Sequence, residues 1–216
     1  MASPYAQRSC EGIGVRAKGS DMFELPKWKG IEEAMQDVRL TARDKGLERG
    51  ILLRKSGERI LDMMGTDKSV QFPDWAEKLK RGKDVFIIHG HPGLPAELSD
   101  ADVKCIHAMG AAGNMAVSGV DDTVSWTSGI DFRHMEEVPV FFREMSAQRF
   151  MEDALAYSMA RMGERSNKGW AELDERWVVL AHLCNAAYVE AGFLLDYHLR
   201  QGSVESALLE KWAAKR

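Results

Sequence analysis

Residues 85–102 read VFIIHGHPGLPAELSDAD, and the way this stretch folds decides the rest of the chain. Its opening, VFIIH, is a continuous β-branched and aromatic run, as expected of a central strand covered on both faces. Two histidines one residue apart, His89 and His91, end it. Successive side chains of a strand alternate between faces, so both imidazoles should face the same side. Pro92, Gly93 and Pro95 then turn the chain, and after Ser99 the apolar positions Val103, Ile106 and Met109 recur at helical spacing until Gly110 breaks it. The expected unit is strand, loop and helix, with Asp102 in the first turn of the helix.

Upstream, Ile31, Ala34, Met35 and Val38 follow the i, i+3, i+4, i+7 rule of an amphipathic helix that Gly46 ends. Two short strands follow, 49–55 and 59–64, joined at Ser56-Gly57 in hairpin fashion, with Glu48 at the mouth of the first. A second, short helix is expected where Pro73 begins a segment with Trp75, Ala76 and Leu79 on one face and Gly82 beyond its end. Downstream of the central helix, NMAVSGV and DTVSWTSGI are separated by Asp121-Asp122 and read as an antiparallel pair extending the sheet.

Beyond about residue 133 strand signals stop, and helical stretches are expected near 136–162, 172–200 and 203–214. In the longest, Trp177, Leu180, Cys184, Tyr188, Ala191 and Leu195 form one stripe, while further apolar residues spread around the rest. Such a helix must be buried, against the sheet or in a homo-oligomer. The expected class is α/β (α+β), a mixed, curved sheet flanked by helices with an α-helical C-terminal region. Its expected divisions are a loosely ordered segment 1–30, a domain 31–132 and a helical region 133–216.

At 216 residues and 45% hydrophobic, the chain can bury a sizeable core. Its formal net charge is −4 with the signs interspersed, so neither a nucleic-acid partner nor a polybasic membrane patch is expected. Three separated cysteines, Cys10, Cys105 and Cys184, without Cys-x-x-Cys pairing, fit a reducing cytoplasm. The N-terminus has no apolar core of signal-peptide length, and no run reaches the roughly 18 apolar residues of a membrane span. A soluble, cytoplasmic protein is the expectation.

His89, His91, Ser99 and Asp102 together spell His-x-His, seven intervening residues, then Ser-x-x-Asp. Four fixed positions of this kind occur on the order of once in a thousand random chains of this length, or less. Two imidazoles and one carboxylate supply three ligands and leave a fourth tetrahedral position for water, the pattern of a catalytic zinc site. Zinc lowers the pKa of such a water from about 16 toward about 7.

With Pro92 directly after the second histidine, this pattern resembles the metal-binding signature of the JAB/MPN/JAMM metalloproteases. The resemblance covers about residues 31–130 and is nearer to bacterial and phage-type members than to eukaryotic deubiquitinases. It implies a JAB/MPN fold with a cytidine-deaminase-like layout, one zinc ion on His89, His91 and Asp102, and hydrolysis of a peptide or isopeptide bond in a protein or peptide-conjugate substrate. It also implies a general base, assigned to Glu48 with Glu58 as fallback, and a hydroxyl from Ser99 that supports the oxyanion. Position 90 departs from the pattern: glycine stands where serine, threonine or asparagine is common, which is expected to make the loop more flexible.

Blander readings exist for each part. Ser99-x-x-Asp102 before an apolar helix is also a capping pattern, and a histidine pair at a strand end can be a polar edge. His107, about 140° around the helix from Asp102, should face away from the metal; His134, His182 and His198 read as structural or surface residues, and Cys105 as a small buried hydrophobe. Two other functions stand beside the hydrolase: a non-catalytic JAB-fold assembly module whose helical tail contacts a partner, and, with a poorer carboxylate set, a phosphoester hydrolase.

Overall fold

Strand β3 (Val85–His91) has a neighbour on each side, and those pairings set the architecture. The computed structural model describes residues 25–73, 76, 84–93, 95–129 and 194–213, and seven positions between 175 and 189. On one side, β1 (Arg49–Arg54) runs antiparallel to β3 with Gly50 opposite His89 and Arg54 opposite Val85. On the other, β4 (Gly113–Ser118) runs parallel to it, from Phe86 opposite Gly113 to His91 opposite Ser118. A parallel pair needs a crossover, and helix α2 (Asp100–Met109) supplies it. With β2 (Arg59–Met64), β5 (Val124–Thr127) and β6 (His198–Leu199), the sheet is six-stranded and mixed, in the order β2-β1-β3-β4-β5-β6.

Both faces of β3 are covered, as its unbroken apolar run requires. Phe86 and Ile88 point to helix α1 (Ile31–Lys45), where they pack with Ile31, Ala34, Val38, Ile51, Leu53 and Met115. Val85 and Ile87 point the other way, to Val103, Ile106 and Met109 of α2 and to Leu194 from the C-terminal region. Gly90 has the parity of Phe86 and Ile88. A Cβ on it would lie 2.6 Å from the Val38 carbonyl oxygen, so glycine here lets α1 rest on the strand. The expected loop flexibility at position 90 is thereby corrected: the residue is buried inside β3.

The β1–β2 hairpin closes at Gly57, whose φ of 93° is one that side-chain-bearing residues rarely adopt. The antiparallel pair β4–β5 forms as expected. The C-terminal region departs from the all-helical expectation. Described positions between 175 and 189 are helical, and α3 (Val204–Ala213) forms within the expected 203–214. A helix through 200 does not, because 198–199 is strand β6, paired antiparallel with β5 through Ser125 opposite Leu199 and Trp126 opposite His198. Pairing to an open sheet edge, with the His198 ring stacked 4.0 Å over Trp126, overrides the local helical spacing. Leu195, placed in the buried stripe by that spacing, is 52% exposed. The other stripe residues, Trp177, Leu180, Cys184, Tyr188 and Ala191, lie outside the described residues, as do the helix expected near 136–162 and most of the one beginning at Pro73.

The described C-terminal residues are built into the sheet domain, with Leu194, Val189 and Tyr197 completing the α2-side core. Among the described residues no helix is long and apolar enough to cross a membrane.

Candidate metal centre

His89 and His91 share the parity of Val85 and Ile87, so β3 delivers them to the α2 side at the carboxyl end of the parallel β3–β4 pair. Their Nε2 atoms are 2.9 Å apart, and Asp102 Oδ1 lies 3.3 Å from His89 Nε2. One ligand atom from each residue falls within 4.8 Å of the others. The structure thus brings together the three residues that the sequence pattern selects.

The atoms turned away from this point are already engaged. His89 Nδ1–H donates to Asn114 Oδ1 at 3.1 Å, and His91 Nδ1–H donates to the Pro95 carbonyl at 2.7 Å. Oxygen acceptors at both Nδ1 positions fix the tautomers, leaving the Nε2 atoms to face the centre. Asp102 Oδ2 accepts from the Ser99 N–H at 2.8 Å and from its hydroxyl at 2.6 Å, which leaves Oδ1 for the centre. Ser99 also accepts from the Asp102 N–H, closing a capping box. Capping therefore occupies one carboxylate oxygen of Asp102 and leaves the other facing the two imidazoles. The single hydroxyl proton of Ser99 is committed to Asp102.

Charge follows from this packing. Burial opposes a proton on His89, but Asp102, Glu48 and Asn114 outweigh it and raise the imidazole to about 9. Burial and the neighbouring His89 charge lower His91 to about 4. Burial pushes the Asp102 carboxyl up, yet His89, His91 and Ser99 together hold it well below the usual carboxylate range. In the cation-free protein one proton on His89 thus sits where two nitrogens and a carboxylate oxygen converge. Two imidazoles and a carboxylate with their outer atoms already hydrogen-bonded form a donor set suited to a divalent cation, which would take that proton's place.

Glu48 precedes β1 with the parity of Gly50 and Leu52, and continuing the Gly50–His89 register sets it level with His91. Its backbone pairs with Gly65 and Thr66. Burial raises its carboxyl, the His89 charge and the Val70 backbone N–H lower it, and Asp102 raises it further, leaving a net rise. Glu58 lies beyond the opposite end of β1, about 13 Å along the strand from Gly50 by its rise per residue. It is exposed and bound to Arg54 at 3.0 Å. The structure separates this fallback base from the centre.

Four residues around the centre were not singled out for this role from sequence: Asn114, Glu97, Asn185 and Glu205. His182, read as structural or surface, is buried beside Glu205: its Nε2 hydrogen-bonds the Glu205 carboxylate and its Nδ1 lies 2.5 Å from the Tyr197 hydroxyl. Two polar residues three apart, His182 and Asn185, within the apolar run VVLAHLCNAAYV were the available signal. Nothing local marks Glu205. Glu97 is raised to about 8 by burial and by the charges of Asp102 and Glu205, and its Oε2 has no partner among the described residues. Cys105 packs against the α2-side core and His107 is buried in α2. Compared with protein-family models, curated proteins and solved structures, the chain has no significant match.

Proposed function

We propose that the chain is a divalent-cation-dependent hydrolase of the JAB/MPN/JAMM kind, cleaving a peptide or isopeptide bond in a protein or peptide conjugate. The observation that carries this reading is the convergence of His89 Nε2, His91 Nε2 and Asp102 Oδ1 with every outer atom of the three side chains already bonded. These residues would hold the cation, with zinc favoured by two nitrogens and one oxygen. When bound, such a cation supplies a Lewis acid that polarises a carbonyl and acidifies water.

The protein's own groups do the rest. Glu48, half-buried and raised above an ordinary carboxyl, removes a proton from the attacking water as its oxygen bonds to the carbonyl carbon. It returns that proton to the amine nitrogen as the C–N bond breaks. Asn114 and Pro95 hold the two imidazoles in the tautomer that ligation needs. Ser99 orients Asp102; acting on an oxyanion would require its hydroxyl to leave Oδ2.

The test joins elemental analysis of purified protein to a cleavage assay on peptide and isopeptide conjugates. Stoichiometric divalent metal and cleavage abolished by chelator, then restored by zinc, are expected. Protein that neither carries nor takes up a divalent cation would instead favour a non-catalytic module of the same fold.

A further inference from the structure

The loop between His91 and Asp102 contains two of the outer contacts of the candidate centre. The Pro95 carbonyl orients His91, and Ser99 orients Asp102. Between these two lie Ala96 and Leu98, both buried, whose hydrogen bonds reach beyond the loop. The Ala96 N–H donates to both oxygens of Glu205, at 3.0 and 3.2 Å, and its carbonyl accepts from the Ser125 hydroxyl at 2.6 Å. The Leu98 N–H donates to Asn185 Oδ1 at 3.1 Å, and its carbonyl accepts from Asn185 Nδ2 at 2.9 Å. Glu205 is itself fully buried and hydrogen-bonded to His182.

Resting on the cation reading above, we propose that Asn185 and the Glu205–His182 pair are positioning residues of the centre: a clamp from the C-terminal region that holds the metal loop ready for a cation. A loop with two prolines and a glycine, and neither helix nor strand among its described residues, must otherwise be ordered when the cation binds, at the expense of affinity. The clamp does this ordering in advance. It explains why side-chain contacts reach 87 and 109 residues back along the chain to two loop amides that flank Glu97. Neither Asn185 nor Glu205 touches the cation position; each acts through the backbone on either side of it.

The experiment titrates the full, cation-free chain with cobalt(II), reading both affinity and the visible absorption of the complex. Asn185→Ala and Glu205→Ala are expected to weaken cobalt binding by about 10–100-fold, the usual cost of losing an outer contact, and to alter the spectrum. Glu205→Gln, which keeps an oxygen for the Ala96 N–H, should recover most of the affinity. Ile31→Ala, in the core under α1 on the far face of the sheet, is the control for lost stability alone and should bind like wild type. If Glu205→Ala fails to fold, Asn185→Ala decides. Wild-type affinity and spectrum in the clamp variants, or a loss no greater than that of Ile31→Ala, would overturn the clamp while leaving the cation reading intact. A wild-type chain that binds no cobalt would overturn both.

Discussion

Two histidine–carboxylate clusters lie on the same side of the sheet, and they are built to opposite ends. In His182–Glu205–Tyr197 the polar atoms face one another and the Glu205 oxygens are spent on His182 and the Ala96 N–H, so the hydrogen bonds close on themselves. In His89–His91–Asp102 the outer atoms are spent and the inner ones converge on a point served by one proton. Histidine beside carboxylate thus gives a brace in one place and, in the other, the cation receptor proposed above. Unmet coordination, with burial common to both, is what marks a site.

The largest effects should come from breaking each cluster in turn. His182→Ala leaves a fully buried carboxylate without its partner and is expected to cost about 3–5 kcal/mol in denaturant unfolding. His91→Ala should leave the cation-free fold nearly as stable but weaken cation binding by more than the roughly 10–100-fold that an outer contact costs. Equal stability losses in the two variants would erase the distinction between brace and receptor. Next in size, Glu48→Gln should lower cleavage by about 10²–10⁴-fold while cation content is unchanged. Glu58→Gln should leave both unchanged, since its carboxylate is bound to Arg54 at the far hairpin. Retained cleavage in Glu48→Gln would remove it as the base.

How much of this could be read beforehand follows from the range of the interactions. The strand–loop–helix around His89, His91 and Asp102 is written in local periodicity, and so are the β1–β2 hairpin and the common face of the two histidines. The two residues of β6 have no such signature. They are strand because Ser125 and Trp126 present an open edge, and a window around His198 cannot contain that fact. The clamp was hidden for the same reason: Glu205 looks like any first-turn helix acid until the fold sets it against Ala96. Gly90 misled because a missing side chain reads as freedom in a sequence, whereas here it is a fit to the Val38 carbonyl.

A smaller effect sharpens the receptor half. His89 holds its proton up to about pH 9 in the cation-free protein, and a cation must displace it. Apparent affinity should therefore rise with pH, by about tenfold per pH unit toward pH 9. The dependence is measurable by competition with a chelator whose own protonation is known. A flat profile from pH 6 to pH 8 would mean that no proton occupies the centre.

The two clusters also meet electrostatically at Glu97, on which both act through Asp102, His89 and Glu205. Its carboxyl is raised from 4.5 to about 8, first by burial and then by the charges of Asp102 and Glu205. Between those two values the folded chain keeps a proton that the unfolded chain has released, so folding stability must fall as pH rises through this window, by up to about 1.4 kcal/mol per pH unit. Below pH 4.5 both states are protonated and the term vanishes; above about 8 both are ionised and the full cost stands. Glutamine cannot ionise, so Glu97→Gln should match wild type near pH 4.5 and gain on it steadily toward pH 8. Urea unfolding at both pH values, in chelator, reads the difference. Parallel stability curves for the two proteins would place an ordinary ionised carboxylate at position 97.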